Sequence, residues 1–97
     1  MSTWRISRRA GSDLADIWRY SHSQWGLEQA DRYVAKLYEA FGKLVSNPSL
    51  GRPVPEALKA TSKYRCGSHL IFHRWYRKQL YIIRILHESM DHKQHLR

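Results

Sequence analysis

The stretch that decides the fold spans residues 30–48 and reads ADRYVAKLYEAFGKLVSNP. Its apolar side chains recur every three or four residues, which is the spacing of one broad face on an α-helix. These apolar positions are Ala30, Tyr33, Val34, Leu37, Tyr38, Phe41, Leu44 and Val45. The charged side chains fall mainly on the opposite side, and the pattern stops at Asn47-Pro48. The stretch therefore predicts an amphipathic helix whose apolar face packs against the rest of the chain.

A second helix is predicted immediately upstream of this one. Its start is expected at Gly11-Ser12-Asp13, where Ser12 or Asp13 can cap the first turn. Apolar and small side chains then follow at helical spacing, at Leu14, Ile17, Trp18, Ser21 and Trp25. Gly26 is predicted to end the helix in the left-handed conformation. Because one glycine joins the two helices, we expect them to fold back on each other as a helical hairpin.

The segments on either side of this hairpin have strand-like patterns. Residues 3–7 alternate polar and apolar side chains, which predicts a short strand with one buried face. Residues 50–55 contain two prolines and a glycine and are predicted to form a loop. Strand-like runs follow around Tyr64–Cys66, His69–Tyr76 and Leu80–Leu86, and the last two are close enough for a hairpin at Arg77-Lys78-Gln79. The expected fold is α+β, with an N-terminal strand, a helical hairpin and a three-stranded antiparallel meander.

The last of these runs has two apolar faces, one of which carries a charge. Strict alternation would place Tyr81, Ile83 and Ile85 on one face, and Ile82, Arg84 and Leu86 on the other. Arg84 thus interrupts a face that is otherwise apolar.

Size and composition indicate a single domain, residues 1–97, in a reducing compartment. One cysteine, Cys66, cannot form an internal disulfide, and a small buried hydrophobe is its expected role. No secretory signal and no stretch long enough to span a bilayer are apparent, so the cytoplasm is the predicted location.

The charge distribution predicts an acidic partner. Lys and Arg total 17 against 8 Asp and Glu, a net charge of +9. No acidic residue occurs between Glu56 and Glu88, whereas seven basic residues do: Lys59, Lys63, Arg65, Arg74, Arg77, Lys78 and Arg84. Nucleic acid, an acidic protein segment or both would fit this half of the chain.

No signature of a cofactor or metal site is evident. The six histidines have neither cysteine partners nor zinc-ligand spacing, so no metal and no cofactor are predicted. The one enzymatic option is metal-independent RNA cleavage, which needs positioned bases, acids and cations. Arg65, Arg74, Arg84 and His87 are the candidates for it. Trp75 and Tyr76, beside basic residues at the end of a strand, resemble a nucleic-acid platform, although packing at the hairpin end explains them equally well.

Four segments, in the same order along nearly the whole chain, resemble the ParE branch of the RelE/ParE toxin superfamily. They are Asp13–Tyr20; Gln24-Trp25-Gly26 with Gln29-Ala30 and Tyr33; Asn47–Arg52; and His69–Arg74 with Arg84–His87 and Met90-Asp91. His73 departs from the tyrosine that many relatives carry and adds a candidate proton-transfer group.

This resemblance implies a toxin that is not an enzyme and that acts by binding DNA gyrase, which blocks replication. It also implies a ParD-like antitoxin that wraps and neutralises the toxin, and a role in plasmid stabilisation. Target-binding candidates are Arg65, His73, Arg74, Arg84 and His87. Antitoxin-binding candidates are Trp18, Trp25, Tyr33, Leu37 and Trp75. Neither sequence-specific DNA binding by this chain alone nor membrane association is expected.

Two alternatives remain open at this point. The first is a RelE-like, ribosome-dependent endoribonuclease that cuts messenger RNA, because the fold is shared and fold does not decide activity. The second is a basic module that binds nucleic acid and is not toxic, which the net charge of +9 alone would explain.

Overall fold

A computed structural model describes residues 3–57 and 59–96. Two long helices precede most of a five-stranded sheet. Within these ranges no helix has an apolar stretch of the length that crossing a membrane requires. The elements in chain order are β1 (Trp4–Ile6), α1 (Arg8–Trp25), α2 (Leu27–Ser46), a 3₁₀ turn (Pro48–Leu50), β2 (Arg52–Pro53), β3 (Ser62–Cys66), β4 (His69–Tyr76), β5 (Gln79–His87) and α3 (His92–His95).

The sheet is mixed, with strand order β1-β5-β4-β3-β2. The predicted meander of β3, β4 and β5 is confirmed, and its strands are antiparallel. β1 joins the sheet beside β5 and runs parallel to it. The loop prediction for residues 50–55 is wrong at Arg52-Pro53, which pair with β3. Pro53 lacks an N–H group, which explains why this strand is only two residues long and lies at the edge.

The first helix starts earlier than the sequence predicts. Its cap is Ser7, not Ser12 or Asp13, and the Ser7 hydroxyl oxygen accepts a hydrogen bond from the Ala10 N–H at 3.0 Å. The same hydroxyl donates to the Ile83 carbonyl at 2.7 Å, and the Ser7 N–H donates to the Ile82 carbonyl at 2.9 Å. Contacts to a strand 76 residues away therefore fix the helix start, and local cap preferences do not reveal them.

The helical hairpin is confirmed, although the glycine that joins the helices differs from the expected geometry. Gly26 has φ +93° and ψ 172°, so its φ is positive but its conformation is extended, not left-handed helical. A side chain is strained at such a φ. α1 and α2 therefore meet at a single residue, and no longer loop separates them.

Two apolar clusters lie on opposite faces of the sheet. The larger one is formed between the hairpin and the sheet, and its buried members are Ala10, Leu14, Ile17, Leu37, Ala40, Phe41, Leu44, Ile71, Leu80, Ile82 and Ile85. The smaller one, on the other face, consists of Val54, Phe72, Leu86 and Leu96. The segment after β2 and the C-terminal segment thus cover part of the face that the helices leave open.

A β-bulge makes the predicted faces of the last strand wrong. Phe72 pairs with Arg84, but the next residue, His73, pairs with Ile82, so Ile83 is an extra residue in β5. An extra residue reverses the alternation beyond it. Ile82 and Ile85 therefore share the cluster under the helices, and Leu86 belongs to the opposite one.

The bulge allows α1 to close the exposed edge of β5. β1 pairs with β5 from Leu80 as far as Ile82. Beyond Ile82, the Asp13 side chain of α1 supplies the hydrogen-bond acceptor at this edge of β5. Its carboxylate accepts hydrogen bonds from the Ile85 N–H at 2.9 Å and from the Arg84 guanidinium at 2.9 and 3.0 Å. The Asp13 and Arg84 side chains are each only 13% exposed. The hydrogen bonds to Asp13 raise the pKa of Arg84, which therefore remains a cation.

Replacing Asp13 by alanine should destabilise the fold by about 3 kcal/mol, because it leaves the Arg84 cation desolvated and unpaired. Asp16→Ala provides a matched control on the same helix, since its ion pair with Arg19 is exposed and should contribute about 0.5 kcal/mol or less. Urea unfolding of both variants measures the two free energies. Equal losses in the two variants would contradict a structural role for the Asp13–Arg84 pair.

Candidate partner-binding groove

A groove of about 410 Å³ lies where the hairpin meets the ends of β4 and β5. The second half of α1 and the start of α2 form one wall, and the end of β5 with the turn after it forms the other. Its lining is mostly apolar and includes Ile17, Tyr20, Trp25, Ile85 and Met90. Asp13 and Asp16 are the carboxylates at its border.

Large apolar side chains at this groove are exposed to solvent. The exposed fraction is 70% for Trp25, 66% for Tyr20 and 43% for Met90. Grouped apolar side chains of this size, around a concave surface, mark a binding site more often than scattered ones do. An apolar groove beside two helices suits an amphipathic helix that lays its apolar face into it.

The floor at one end of the groove is a hydrogen-bonded aromatic cluster. The Tyr33 hydroxyl accepts from the Ser68 N–H at 3.1 Å and lies 2.6 Å from Nδ1 of His69. The His87 ring stands perpendicular to the His69 ring at 5.4 Å. Burial, and then the charge that His87 would carry, lower the pKa of His69. Gly67 has φ +61° and passes so close that a Cβ there would lie 2.7 Å from the Tyr33 hydroxyl oxygen.

The structure separates the five residues predicted to contact an antitoxin. Trp25 and Tyr33 line the groove. Trp18 lies outside it, donates its indole N–H to Asp31 at 2.8 Å and stacks on His22. Trp75 borders a different depression, on the opposite face of the sheet. Leu37 is fully buried under the helices, so it has no surface to offer a partner and that prediction is corrected.

The residues predicted to act on a target or on RNA already have partners within the chain. Arg65 pairs with Glu88 at 2.6 Å, Arg84 pairs with Asp13, and Nε of Arg74 donates to the Thr61 hydroxyl at 3.0 Å. Nδ1 of His87 lies 2.7 Å from the Ser89 hydroxyl. Each of the four side chains therefore has its own partner, and no partner is shared between two of them.

His73 is not a surface residue, which corrects its prediction as a target contact. It is 1% exposed, and Gly51 packs so tightly against it that a Cβ at residue 51 would lie 2.5 Å from Nε2. Nδ1 lies 3.0 Å from the Ile71 carbonyl, whereas Nε2 has no hydrogen-bond partner among the described residues. Desolvation lowers its pKa, so His73 is neutral at pH 7.

The remaining chemistry on the described part of the chain is limited. No three His, Cys, Asp or Glu side chains there are grouped closely enough to bind a metal ion. Burial raises the pKa of the Cys66 thiol, which makes it a weaker nucleophile at neutral pH.

Sequence reasoning missed Tyr20, His69 and Met90 as groove residues. Tyr20 follows Ile17 by three residues, so helical spacing could have extended the apolar face of α1 to include it. Met90 has no such signal, because its position depends on the turn after β5 and on contacts distant in sequence.

Comparison with known proteins gives one consistent result. Residues 4–92 match the family model described as "ParE toxin of type II toxin-antitoxin system, parDE". The chain is 43% identical to Toxin ParE1 of Caulobacter vibrioides over 99% of both chains. It is 32% identical to Toxin ParE of Escherichia coli, over 94% of this chain and 89% of that protein.

Two solved structures have the same fold. One is the chromosomal ParDE toxin–antitoxin system from P. aeruginosa, with a TM-score of 0.76 and 21% identity over 90% of this chain and 96% of that one. The other is the toxin–antitoxin complex RelBE2 from Mycobacterium tuberculosis, with a TM-score of 0.67 and 26% identity over 88% and 95%. The fold is therefore shared by ParE-type and RelE-type systems.

Acid should destabilise the protein before any carboxylate titrates. The pKa values of His69 and His73 lie below the ordinary 6.5 in the folded state, so the unfolded chain binds more protons as the pH falls below 6.5. The free energy of unfolding should therefore be nearly constant between about pH 7 and 8 and decrease between about pH 6.5 and 5.

Urea unfolding of the parent and of His73→Met at pH 7.5 and 5 tests this expectation. His73→Met removes the buried imidazole at similar size, so it should lose less stability on acidification. His73 itself accounts for at most about 1.4 kcal/mol per pH unit. Identical pH dependence in the two proteins would contradict the assignment to His73.

Proposed function

This chain belongs to the ParE toxin family of type II toxin–antitoxin systems, and we propose that it poisons DNA gyrase until a ParD-like antitoxin occupies the groove beside its helical hairpin. Both events take place in the cytoplasm, where gyrase and its DNA are found. The observation that carries the antitoxin part of the proposal is the apolar groove with Tyr20, Trp25 and Met90 exposed around it.

The groove fits an amphipathic helical segment better than a small molecule. Its apolar side chains come from two helices and a strand end, so a helix lying along it would bury Trp25 and Tyr20 together. Burying two such side chains excludes water from a large part of the contact. An antitoxin segment that is disordered alone can fold onto this surface as it binds.

The charge of the chain adds attraction for an acidic antitoxin. The net charge is +9, and the carboxylates at the groove border are those of Asp13, which is paired with Arg84, and Asp16. An antitoxin segment with an apolar face for the groove and acidic residues beyond it would be attracted by the basic surfaces around it.

The inferred action on gyrase is binding rather than catalysis. Arg65 and Arg84 are engaged in ion pairs with Glu88 and Asp13, Nε of Arg74 donates to Thr61, and Nδ1 of His87 lies beside the Ser89 hydroxyl. A ribonuclease of the kind considered above would need these groups to face a phosphate and a ribose hydroxyl. Family membership, together with side chains committed to ion pairs within the chain, supports a toxin that acts through its surface.

Induced expression of the chain alone should arrest growth, and extracts should contain cleaved DNA held by gyrase. Co-expression of the antitoxin gene next to it should restore growth. A supercoiling assay and a cleavage assay with purified gyrase measure the effect directly. Arrest with fully active gyrase and cut messenger RNA would establish the RelE-like alternative instead. Normal growth at strong expression would contradict toxicity.

Replacing Trp25 by serine should weaken antitoxin binding at least about 30-fold, because a tryptophan that is exposed in the free protein and buried by a partner is a typical hot spot. Leu27→Ser is the matched control, since Leu27 is also exposed and lies two residues away, outside the groove. Titration calorimetry with the antitoxin measures both affinities. In cells, Trp25→Ser should remain toxic when the antitoxin is present. Equal effects of the two substitutions would exclude the groove as the antitoxin site.

A further inference from the structure

Three side chains form a row across β1, β5 and β4 on the sheet face opposite the helices. Arg5 pairs with Tyr81 in the parallel ladder, and Tyr81 pairs with Arg74 in the antiparallel one. Register partners on adjacent strands lie on the same face, about 4.8 Å apart. An arginine therefore lies on each side of Tyr81 in the row. The neighbours Leu80 and Ile82 point into the core under the helices, which fixes Tyr81 on the other side.

This row lies in a depression that the smaller apolar cluster leaves uncovered. The depression has a volume of about 750 Å³, and Lys59 and Trp75 border it. None of the carboxylates in residues 3–57 and 59–96 lines it. Arg5, Lys59 and Arg74 also form no ion pair with any described carboxylate. The hydrogen bond from Nε of Arg74 to Thr61 holds that guanidinium in a defined orientation.

The β4–β5 turn adds further cations and a second exposed ring. The Arg77 guanidinium lies over the Tyr76 ring, 5.3 Å from its centroid. Arg77 and Lys78 have φ values of +50° and +62°, a conformation for which glycine and asparagine are the usual choices. Two cations therefore occupy the tip of this hairpin despite a backbone cost.

Cations without carboxylate partners, next to exposed aromatic rings, match the chemistry of a nucleic-acid strand. Guanidinium and ammonium groups contact phosphates, and unpaired bases stack on aromatic rings whatever their sequence. Tyr76 is 59% exposed and Tyr81 is 37% exposed, so both rings are accessible. An acidic peptide would use the cations, but Asp and Glu side chains carry no aromatic ring to stack on these tyrosines, whereas every nucleotide of a single strand carries a base. A duplex keeps its bases stacked on each other.

We propose that this surface, which consists of Arg5, Lys59, Arg74, Tyr76 and Tyr81, binds single-stranded nucleic acid without sequence preference. The cations hold the phosphates, and Tyr81 and Tyr76 stack on successive bases. The site is on the opposite side of the sheet from the groove, so a strand and an antitoxin segment can be bound together. The binding needs neither gyrase nor antitoxin.

Fluorescence anisotropy of the full chain with a short labelled oligothymidylate tests the proposal over a range of KCl concentrations. Arg5→Gln/Lys59→Gln should weaken binding and reduce the slope of log K against log salt by about 1.4, since each phosphate contact on a single strand contributes about 0.7. Tyr81→Ser should weaken binding about tenfold with little change in slope. Thermal unfolding verifies that each variant is folded.

Lys36→Gln/Lys43→Gln is the matched control, because it removes the same charge from exposed positions on α2. It should bind the oligonucleotide as the parent does. An equal loss in this control would overturn the proposal, because net charge would then explain the binding. Tighter binding of an oligoglutamate peptide than of the oligonucleotide would also overturn it and identify an acidic peptide as the ligand. Equal affinity for duplex DNA, unaffected by Tyr81→Ser, would overturn the stacking part.

Discussion

The contact between Asp13 and β5 is the interaction on which the rest of this structure depends. β1 is only three residues long, so beyond Ile82 the edge of a central strand would be left without a partner. Asp13 supplies an acceptor for the Ile85 N–H, and its charge is balanced by Arg84. The Asp13 carboxylate thus continues the hydrogen bonding along the edge of β5 that β1 begins. Since both side chains of the pair are largely buried, loss of either one leaves the other charge desolvated and unpaired.

This contact also positions one of the two surfaces for which we infer a function, the groove. It holds α1 against the end of β5, and the groove is the space that remains between them. The bulge at Ile83 lets Ile85 face the helices while Arg84 reaches around the edge to Asp13. On the opposite face, strand register alone aligns Arg5, Tyr81 and Arg74. The helix side is therefore apolar and suited to a folded protein segment, whereas the other side is basic and aromatic.

The two surfaces for which we infer a function lie on opposite faces of the sheet, so neither proposed partner blocks the other. At 97 residues the chain has one main core, and each sheet face has space for a different chemistry. Tyr33, His69 and His87 add polar groups to one end of the groove, and burial keeps His69 mostly neutral. A partner segment there meets hydrogen-bonding groups without having to desolvate a full positive charge.

The sequence by itself determined the order of the main elements, the helical hairpin, the antiparallel meander and the family. These features depend on local periodicity and on short motifs, which can be recognised without knowing any tertiary contact. The apolar stripe from Ala30 to Val45 is an example. It also indicated Trp25 and Tyr33, which lie on the groove.

Only the tertiary structure decided where α1 begins, which way Ile85 and Leu86 face, and which charged side chains form ion pairs within the chain. Ser7 acts as a cap because Ile82 and Ile83 are beside it. Leu37 and His73 are buried because of what packs over them. One inserted residue in β5 reverses a pattern of period two, and no local preference marks its position. These outcomes depend on contacts between distant parts of the chain, which periodicity in a single sequence does not encode.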